Sequence, residues 1–235
     1  MKILALETSA VSASVALCDD EALIAQSFQH TGLTHSATLM PMLEDLLKNA
    51  GHTLEQAELI AVAAGPGSFT GLRIGVAAAK GLAWAEGKPC AACSTLESMA
   101  WQVAHVDGLI CAAMDARRQQ VYAALFQSEG GILTRLTEDQ ALSLDELACA
   151  AETYKKPQLL VGDGAHLCYN AFTERGMPVR MAPPHLRYQT AWGVARCALE
   201  LARGGRLVDA ARLVPDYHRL SQAERERLAQ NTEKR

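Results

Sequence analysis

The sequence predicts an α/β fold in two related parts, and three features carry that expectation. Each part opens on short runs rich in β-formers that read as antiparallel strands, then alternates strands with amphipathic helices. Glycine, proline and acidic clusters interrupt the runs at strand and helix lengths. Apolar residues make up 49% of the 235 and charged residues 20%, the balance of a globular chain with length enough for a sizeable core. That composition excludes wholesale disorder.

Taken in order, the runs 2–7 and 13–18 are strands joined by the polar turn Thr8-Ser9-Ala10-Val11-Ser12, and 22–28 is a third strand after Asp19-Asp20-Glu21. Over 35–49, Leu39, Met42, Leu43, Leu46 and Leu47 fall on one helical face and Gly51 closes the run. Pro41 lies inside and is expected to kink that helix or mark the end of its first turn. A strand at 58–64 and a helix at 70–85, stopped by Gly87 and Pro89, lead to a strand at 90–93 and a helix at 95–104. The second part repeats the theme, with strands at 109–114, 119–126 and 131–136, a helix at 143–152, a strand at 158–162 and a helix at 165–175. Helices at 190–203 and 206–213 follow, separated by Gly204-Gly205. The expected organisation is a first subdomain over 1–106, a second, smaller one over 107–220, and a charged tail over 221–235.

Lys plus Arg number 22 against 26 for Asp plus Glu, a net charge of −4, which does not suit a stand-alone nucleic-acid binder. Aromatics at 5% leave little for a single-strand stacking platform. Seven cysteines, an odd number set mostly in apolar stretches, read as buried free thiols in a reducing compartment. The apolar N-terminus resembles the start of a signal peptide, but Glu7 and the polar residues after it interrupt the run. No apolar stretch reaches the roughly 18–20 residues of a membrane helix, so a cytoplasmic protein is expected.

The strongest local signal is Gly65-Pro66-Gly67-Ser68-Phe69-Thr70-Gly71, between a strand and a helix. Its glycines allow tight turns and the helix start offers N–H groups to an anion, so Gly65, Gly67 and Ser68, with Thr8 and Ser9 of the first turn, are candidate phosphate or nucleotide contacts. The plain alternative is a strand-to-helix turn that binds nothing, and the spacing is not that of a Walker A loop. Within the helix, Gly71, Gly75, Ala78 and Leu82 recur on one face. A helix-interior glycine costs about 1 kcal/mol, so close packing is required, either on this chain's own sheet or on a partner. Asp115-Ala116-Arg117-Arg118 and Gly162-Asp163-Gly164 read as further turns, Cys90 and Cys93 as buried strand cysteines, and His30 and His35 as loop residues. No catalytic group and no metal ligand set is identified.

Several segments together resemble a known family. Ile-Leu-Ala-Leu-Glu-Thr-Ser over 3–9, His-Ser-x-x-Leu-Met-Pro-Met over 35–42, Ala-Gly-Pro-Gly-Ser-Phe-Thr-Gly-Leu-Arg-Ile-Gly over 64–75, Asp-Ala-Arg-x-x-x-Val-Tyr over 115–122 and Pro-x-Tyr-x-Arg over 215–219 are similar to the TsaB family, formerly YeaZ. These are bacterial tRNA threonylcarbamoyladenosine biosynthesis proteins related to the M22 glycoprotease-like group. The resemblance implies a two-lobed actin, sugar-kinase and Hsp70-like (ASKHA) fold with a reduced second lobe. It implies a non-catalytic partner of TsaD and of the ATPase TsaE, which together transfer threonylcarbamoyl from its adenylate to N6 of adenosine 37. It further implies a homodimer alone, a heterodimer with TsaD, and contact with tRNA only through the complex.

By the same resemblance the docking surface lies on the two first-lobe helices, at His35, Leu39, Met42, Leu43, Thr70, Gly71, Arg73, Ile74, Gly75, Ala78 and Leu82. One departure matters. TsaD-like proteins hold a metal through His-x-x-x-His on the helix after the 90–93 strand, where this chain reads Thr95-Leu96-Glu97-Ser98-Met99. A hydroxyl and a thioether do not replace two imidazoles. No cofactor is expected, although the glycine turn is compatible with weak ATP or ADP binding. The alternatives are an ATP-dependent phosphotransferase of the sugar-kinase type, weakened by Glu7-Thr8-Ser9 in place of Asp-x-Gly-Thr, and an M22-type metalloprotease. Arg219, Arg225 and Arg227 of the tail are interleaved with glutamates and read as a solvated helix rather than a tRNA contact.

Overall fold

The computed structural model describes residues 1–218. The chain forms β1 (Lys2–Glu7), β2 (Ala13–Asp19), β3 (Ala22–Gln29), α1 (His35–Ala50), β4 (Leu59–Gly65), α2 (Phe69–Glu86), β5 (Cys90–Ser94) and α3 (Thr95–Gln102). It continues with β6 (Gly108–Asp115), β7 (Gln120–Glu129), β8 (Ile132–Arg135), β9 (Gln140–Ser143), α4 (Leu144–Glu152), β10 (Gln158–Val161), α5 (Ala165–Glu174), β11 (Val179–Met181), α6 (Pro184–Arg187) and α7 (Ala191–Arg203).

The helix boundaries follow local chemistry. Ser68, Ser94, Ser143 and Thr190 stand at the N-caps of α2, α3, α4 and α7, each accepting a backbone N–H from the first turn. Gly51 and Gly87 close α1 and α2 with φ of 68° and 60°, a left-handed conformation that costs glycine nothing. Pro41 neither ends α1 nor limits it to one turn; the helix runs on to Ala50, with Pro41 on its solvent side.

Two sheets share one plan. The first has the order β3-β2-β1-β4-β5, with an antiparallel β1–β2–β3 meander and parallel β4 and β5. Read from its meander edge the second runs β8-β7-β6-β10-β11, again antiparallel and then parallel, with β9 pairing on β7. Helices α1 and α2 cover one face of the first sheet, where Leu39, Met42, Leu43 and Val76 pack on Leu4, Leu6, Val15 and Val62. Its other face is lined by small side chains, Ala5, Ala16, Ala61, Ala63 and Ala91, and receives α7 through Val194, Ala195 and Ala198. Helix α3 packs on α7 and also on the second sheet, through Leu96, Met99 and Val103 against Ile110, Ala112 and Phe126. Helices α4 and α5 close the far side around Leu147, Cys168 and Phe172.

Two sequence expectations are corrected, the helix at 206–213 and the burial of every cysteine, and the structure adds features the sequence did not show. The helix expected at 206–213 does not form, because Val208 exchanges both backbone hydrogen bonds with Cys90 at the edge of the first sheet. The short strands β9 and β11 and the single turn α6 had no sequence counterpart. Helix α7 lies within 107–220 but packs on the first sheet, so chain order and packing part company there. Six cysteines are buried free thiols, whereas Cys149 is exposed. No helix among the described residues is long and apolar enough to cross a membrane. The tail at 221–235 lies outside the described residues, as do Arg219, Arg225 and Arg227.

Candidate functional site

Two regions collect part of the predicted site residues, a cleft between the sheets and the outer face of α1 and α2, while the others turn inward. The cleft, about 270 Å³, is lined by Ser9 and Val11 of the first turn, Gly67 and Ser68 before α2, Met114 to Arg117 at the end of β6, and Asp163 after β10. It lies where strand ends of both sheets converge, the usual ligand position in α/β folds. The β6–β7 turn carries Arg117, Arg118 and Gln119 at φ of 65°, 56° and 58°. For L-residues this conformation costs about 1 kcal/mol each. Asp115 holds the turn by accepting the Arg117 N–H at 2.7 Å.

Carboxylates in and behind this cleft oppose a bound phosphate. Burial pushes the Glu7 carboxyl up to about 7; the charge of Asp163 adds to the rise, while the Ser9 hydrogen bond opposes it. One Glu7 oxygen accepts the Ser9 N–H at 2.5 Å and the other, also buried, has no partner. Asp163 is likewise pushed up by burial, opposed by the amide of Gln189 donating at 3.0 Å. Two backbone donors beside the cleft are engaged elsewhere, the Ser9 N–H on Glu7 and the Ser68 N–H on the Ser9 carbonyl at 2.7 Å, while the buried Ser9 hydroxyl has no partner. Asp115 and Asp163, which line the cleft, thus face any anion that Arg117 attracts, while Glu7 is buried outside the lining.

Among the candidate phosphate contacts, Ser9, Gly67 and Ser68 line the cleft, but Thr8 and Gly65 do not. The Thr8 hydroxyl donates to the Gly71 carbonyl at 2.8 Å, and Gly65 lies beneath the Asp216 carbonyl, which a Cβ would overlap. Glu7 was read from sequence as the residue that interrupts the N-terminal apolar run and as a departure from a motif. The unbroken apolar run 3–6, typical of a strand buried on both faces, could have marked the next residue as a buried carboxylate.

On the helix face the structure separates the predicted residues. Leu39, Met42 and Leu43 are buried in this chain's own core. Gly71 and Gly75 are buried against the first turn, a Cβ on either overlapping the Thr8 carbonyl or hydroxyl oxygen. That internal approach supplies the packing reason the two glycines require. His35 ties the start of α1 to the Ala10 carbonyl at 2.7 Å. Thr70 and Arg73 are exposed, and Ile74, Ala78 and Leu82 are half-buried. The outward stripe of α2 continues through Ala77 and Gly81 to Trp84, which is 75% exposed. Met40 and Pro41 of α1 and Leu33 before it are exposed as well. Sequence reasoning missed Trp84, although the helical period from Thr70 through Arg73, Ala77 and Gly81 leads to it. An indole left in solvent beside small residues has the composition of a contact surface.

At the positions aligned above with the His-x-x-x-His pair of TsaD-like proteins, Thr95 and Met99 are fully buried, and Met99 packs among Ile110, Ala112 and Val161. Neither side chain opens onto the cleft.

Comparison with known proteins places these features. A family model described as TsaD, tRNA N6-adenosine threonylcarbamoyltransferase, matches residues 24–224. The Bacillus subtilis (strain 168) protein named tRNA threonylcarbamoyladenosine biosynthesis protein TsaB is 35% identical over 231 residues, 95% of this chain and 96% of that protein. Its namesake from Escherichia coli (strain K12) is 39% identical over 135 residues, 56% of this chain and 58% of that one. Among solved structures, YeaZ from Pseudomonas aeruginosa superposes with a TM-score of 0.76 at 29% identity, covering 92% of this chain and 99% of that one. The ROK hexokinase of Thermus thermophilus, at 13% identity and a TM-score of 0.50 over 87% of this chain and all of that one, shares the two-lobed ASKHA fold alone.

Proposed function

Because the chain belongs to the TsaB family of tRNA threonylcarbamoyladenosine biosynthesis proteins, we propose that it serves that modification as a non-catalytic subunit. It docks a paralogous TsaD transferase through the outer face of α1 and α2 and works with the TsaE ATPase in the cytoplasm. Alone it pairs with a second copy, and it meets tRNA only inside the complex. The observation that carries the non-catalytic reading is the burial of Thr95 and Met99 where a transferase would need two metal-binding imidazoles. The acidic cleft supports it, since nucleotide phosphates would face the carboxylates of Asp115 and Asp163 there, which also weighs against a sugar-kinase activity. The exposed stripe ending at Trp84 supports docking.

The test is a reconstituted modification reaction with unmodified tRNA, threonine, bicarbonate, ATP, the adenylate-forming enzyme, TsaD and TsaE. Nucleoside mass spectrometry is expected to find threonylcarbamoyladenosine only when this chain is present, and Trp84→Glu is expected to remove it. Equal product without the chain overturns the proposal. Gly75 is a poor probe of docking, because any side chain there strikes Thr8 and disturbs the fold itself.

A further inference from the structure

One side-chain cluster on the proposed docking face is accounted for by neither the core nor the helix caps. Phe69 opens α2, and Arg73, one turn on, lays its guanidinium over that ring with Cζ 3.8 Å from the centroid. Tyr217 stacks on Phe69 with centroids 4.8 Å apart and planes 29° from parallel. Its hydroxyl accepts from Arg73 Nε at 2.8 Å. The backbone holds Tyr217 in place: the Asp216 N–H donates to the Ala64 carbonyl at 2.8 Å, across the loop that leads into α2. Arg73 is therefore fixed on three sides, yet among the described residues it forms no ion pair and gives its Nη groups no acceptor.

We infer that the Phe69–Arg73–Tyr217 cluster is the anchor of the docking face, and that it receives an aspartate or glutamate side chain of a protein partner on the Arg73 Nη groups. The inference rests on the reading of α1 and α2 as that face. A guanidinium is a planar fork that matches a carboxylate with two parallel hydrogen bonds. A free arginine gives up much side-chain freedom when it is held in one position. Here the aromatic stack and the tyrosine hydroxyl impose most of that order before any partner arrives, which favours affinity. Arginine and tyrosine are also residue types that dominate measured interface energies.

The surroundings favour a carboxylate over a nucleic-acid phosphate. Thr70, Ile74 and Ala77 beside the cluster are uncharged, and Lys80 is turned to the Ala211 carbonyl at 3.2 Å. A phosphate backbone is gripped by several cations together. A single guanidinium on a chain of net charge −4 suits one carboxylate instead.

The experiment is titration calorimetry of the full chain against the purified TsaD transferase at low and high salt, for wild type, Arg73→Ala, Arg73→Lys, Tyr217→Phe and Trp84→Glu. Arg73→Ala is expected to weaken binding about 10- to 100-fold and to remove most of its salt dependence. Arg73→Lys, which keeps the charge but loses the fork and the stack, is expected to weaken it about 10-fold, and Tyr217→Phe about 3-fold. Thermal melting of each variant separates a lost contact from a lost fold; should Arg73→Ala unfold, the lysine and phenylalanine variants carry the comparison. Wild-type affinity in Arg73→Ala beside lost affinity in Trp84→Glu overturns the anchor and leaves the docking face standing. No wild-type complex, or no effect of either substitution, overturns both. If Arg73→Ala leaves the protein complex intact but lowers tRNA retention by it, the guanidinium serves phosphate and the inference falls.

Discussion

Substituting alanine for glycine at two positions of α2 is expected to change stability in opposite directions. Both Gly71 and Gly81 lie inside the helix, where alanine is worth about 1 kcal/mol over glycine. At Gly81 nothing lies within 4 Å of an added Cβ, so Gly81→Ala keeps that gain and is expected to stabilise by about 0.5–1 kcal/mol. At Gly71 the same methyl overlaps the Thr8 carbonyl oxygen, a backbone atom at a tight turn with little room to yield. Forced overpacking of this kind costs about 1–3 kcal/mol. Displacing the turn also endangers the hydrogen bond from the Thr8 hydroxyl to the Gly71 carbonyl, worth about 1 kcal/mol. With the helical gain set against these costs, Gly71→Ala is expected to destabilise by about 1–3 kcal/mol. For a chain of this size that lowers Tm by roughly 3–10 °C, while Gly81→Ala raises it by about 1–4 °C. Thermal and urea denaturation of the two variants beside wild type measure the pair. If both rise together, the first turn does not pack on α2 as described, and the internal explanation of the two glycines is wrong.

The buried Glu7 makes stability depend on pH. Its carboxyl ordinarily titrates near 4.5 and in the folded chain near 7, so folding favours the protonated form. The contribution is fully present below pH 4.5 and is lost as pH rises through 7, a difference of about 3 kcal/mol. Glu7→Gln, which keeps an oxygen for the Ser9 N–H, is expected to flatten the urea-midpoint profile over that window and to raise stability at pH 8; an unchanged profile would show that Glu7 is ionised in the fold. A third expectation concerns Arg135, which pairs with Glu97 at 2.9 Å and Asp139 at 2.5 Å and lies over Phe126. Because Asp139 is only 10% exposed, Arg135→Ala leaves its carboxylate with the Ser94 hydroxyl at 2.6 Å but no countercharge, and is expected to cost about 2–3 kcal/mol in urea denaturation. The double variant Arg135→Ala with Asp139→Asn should recover part of that loss.

Much of the fold was legible because it is written in local patterns. The five leucine and methionine positions of α1 repeat at helical spacing and are the ones found buried, and Gly51 ends the helix where its left-handed φ is needed. The strands of both meanders stand out by their β-forming side chains, and the motif at 64–75 marks a turn whose place between β4 and α2 the structure keeps. Shorter elements were illegible for physical reasons. Four residues at 140–143 and three at 179–181 are too few to show alternation. The helical spacing of 206–213 was overridden by two backbone hydrogen bonds to a strand more than a hundred residues away.

The candidate site divides along the same line. By itself the sequence determined which side chains share a face, that positions 95 and 99 hold threonine and methionine, and which family the chain belongs to. Only the tertiary structure decided what each face meets. It sent Leu39, Met42 and Leu43 inward and Trp84 outward, gave Gly71 and Gly75 to the first turn, and placed α7 on the sheet formed by the first part of the chain. It also drew Glu7 out of water and brought Tyr217 onto Phe69 and Arg73, 144 residues from the latter. Periodicity is a property of neighbours along the chain, whereas burial, a shifted carboxyl and a stacked guanidinium arise between groups that only the folded topology brings together.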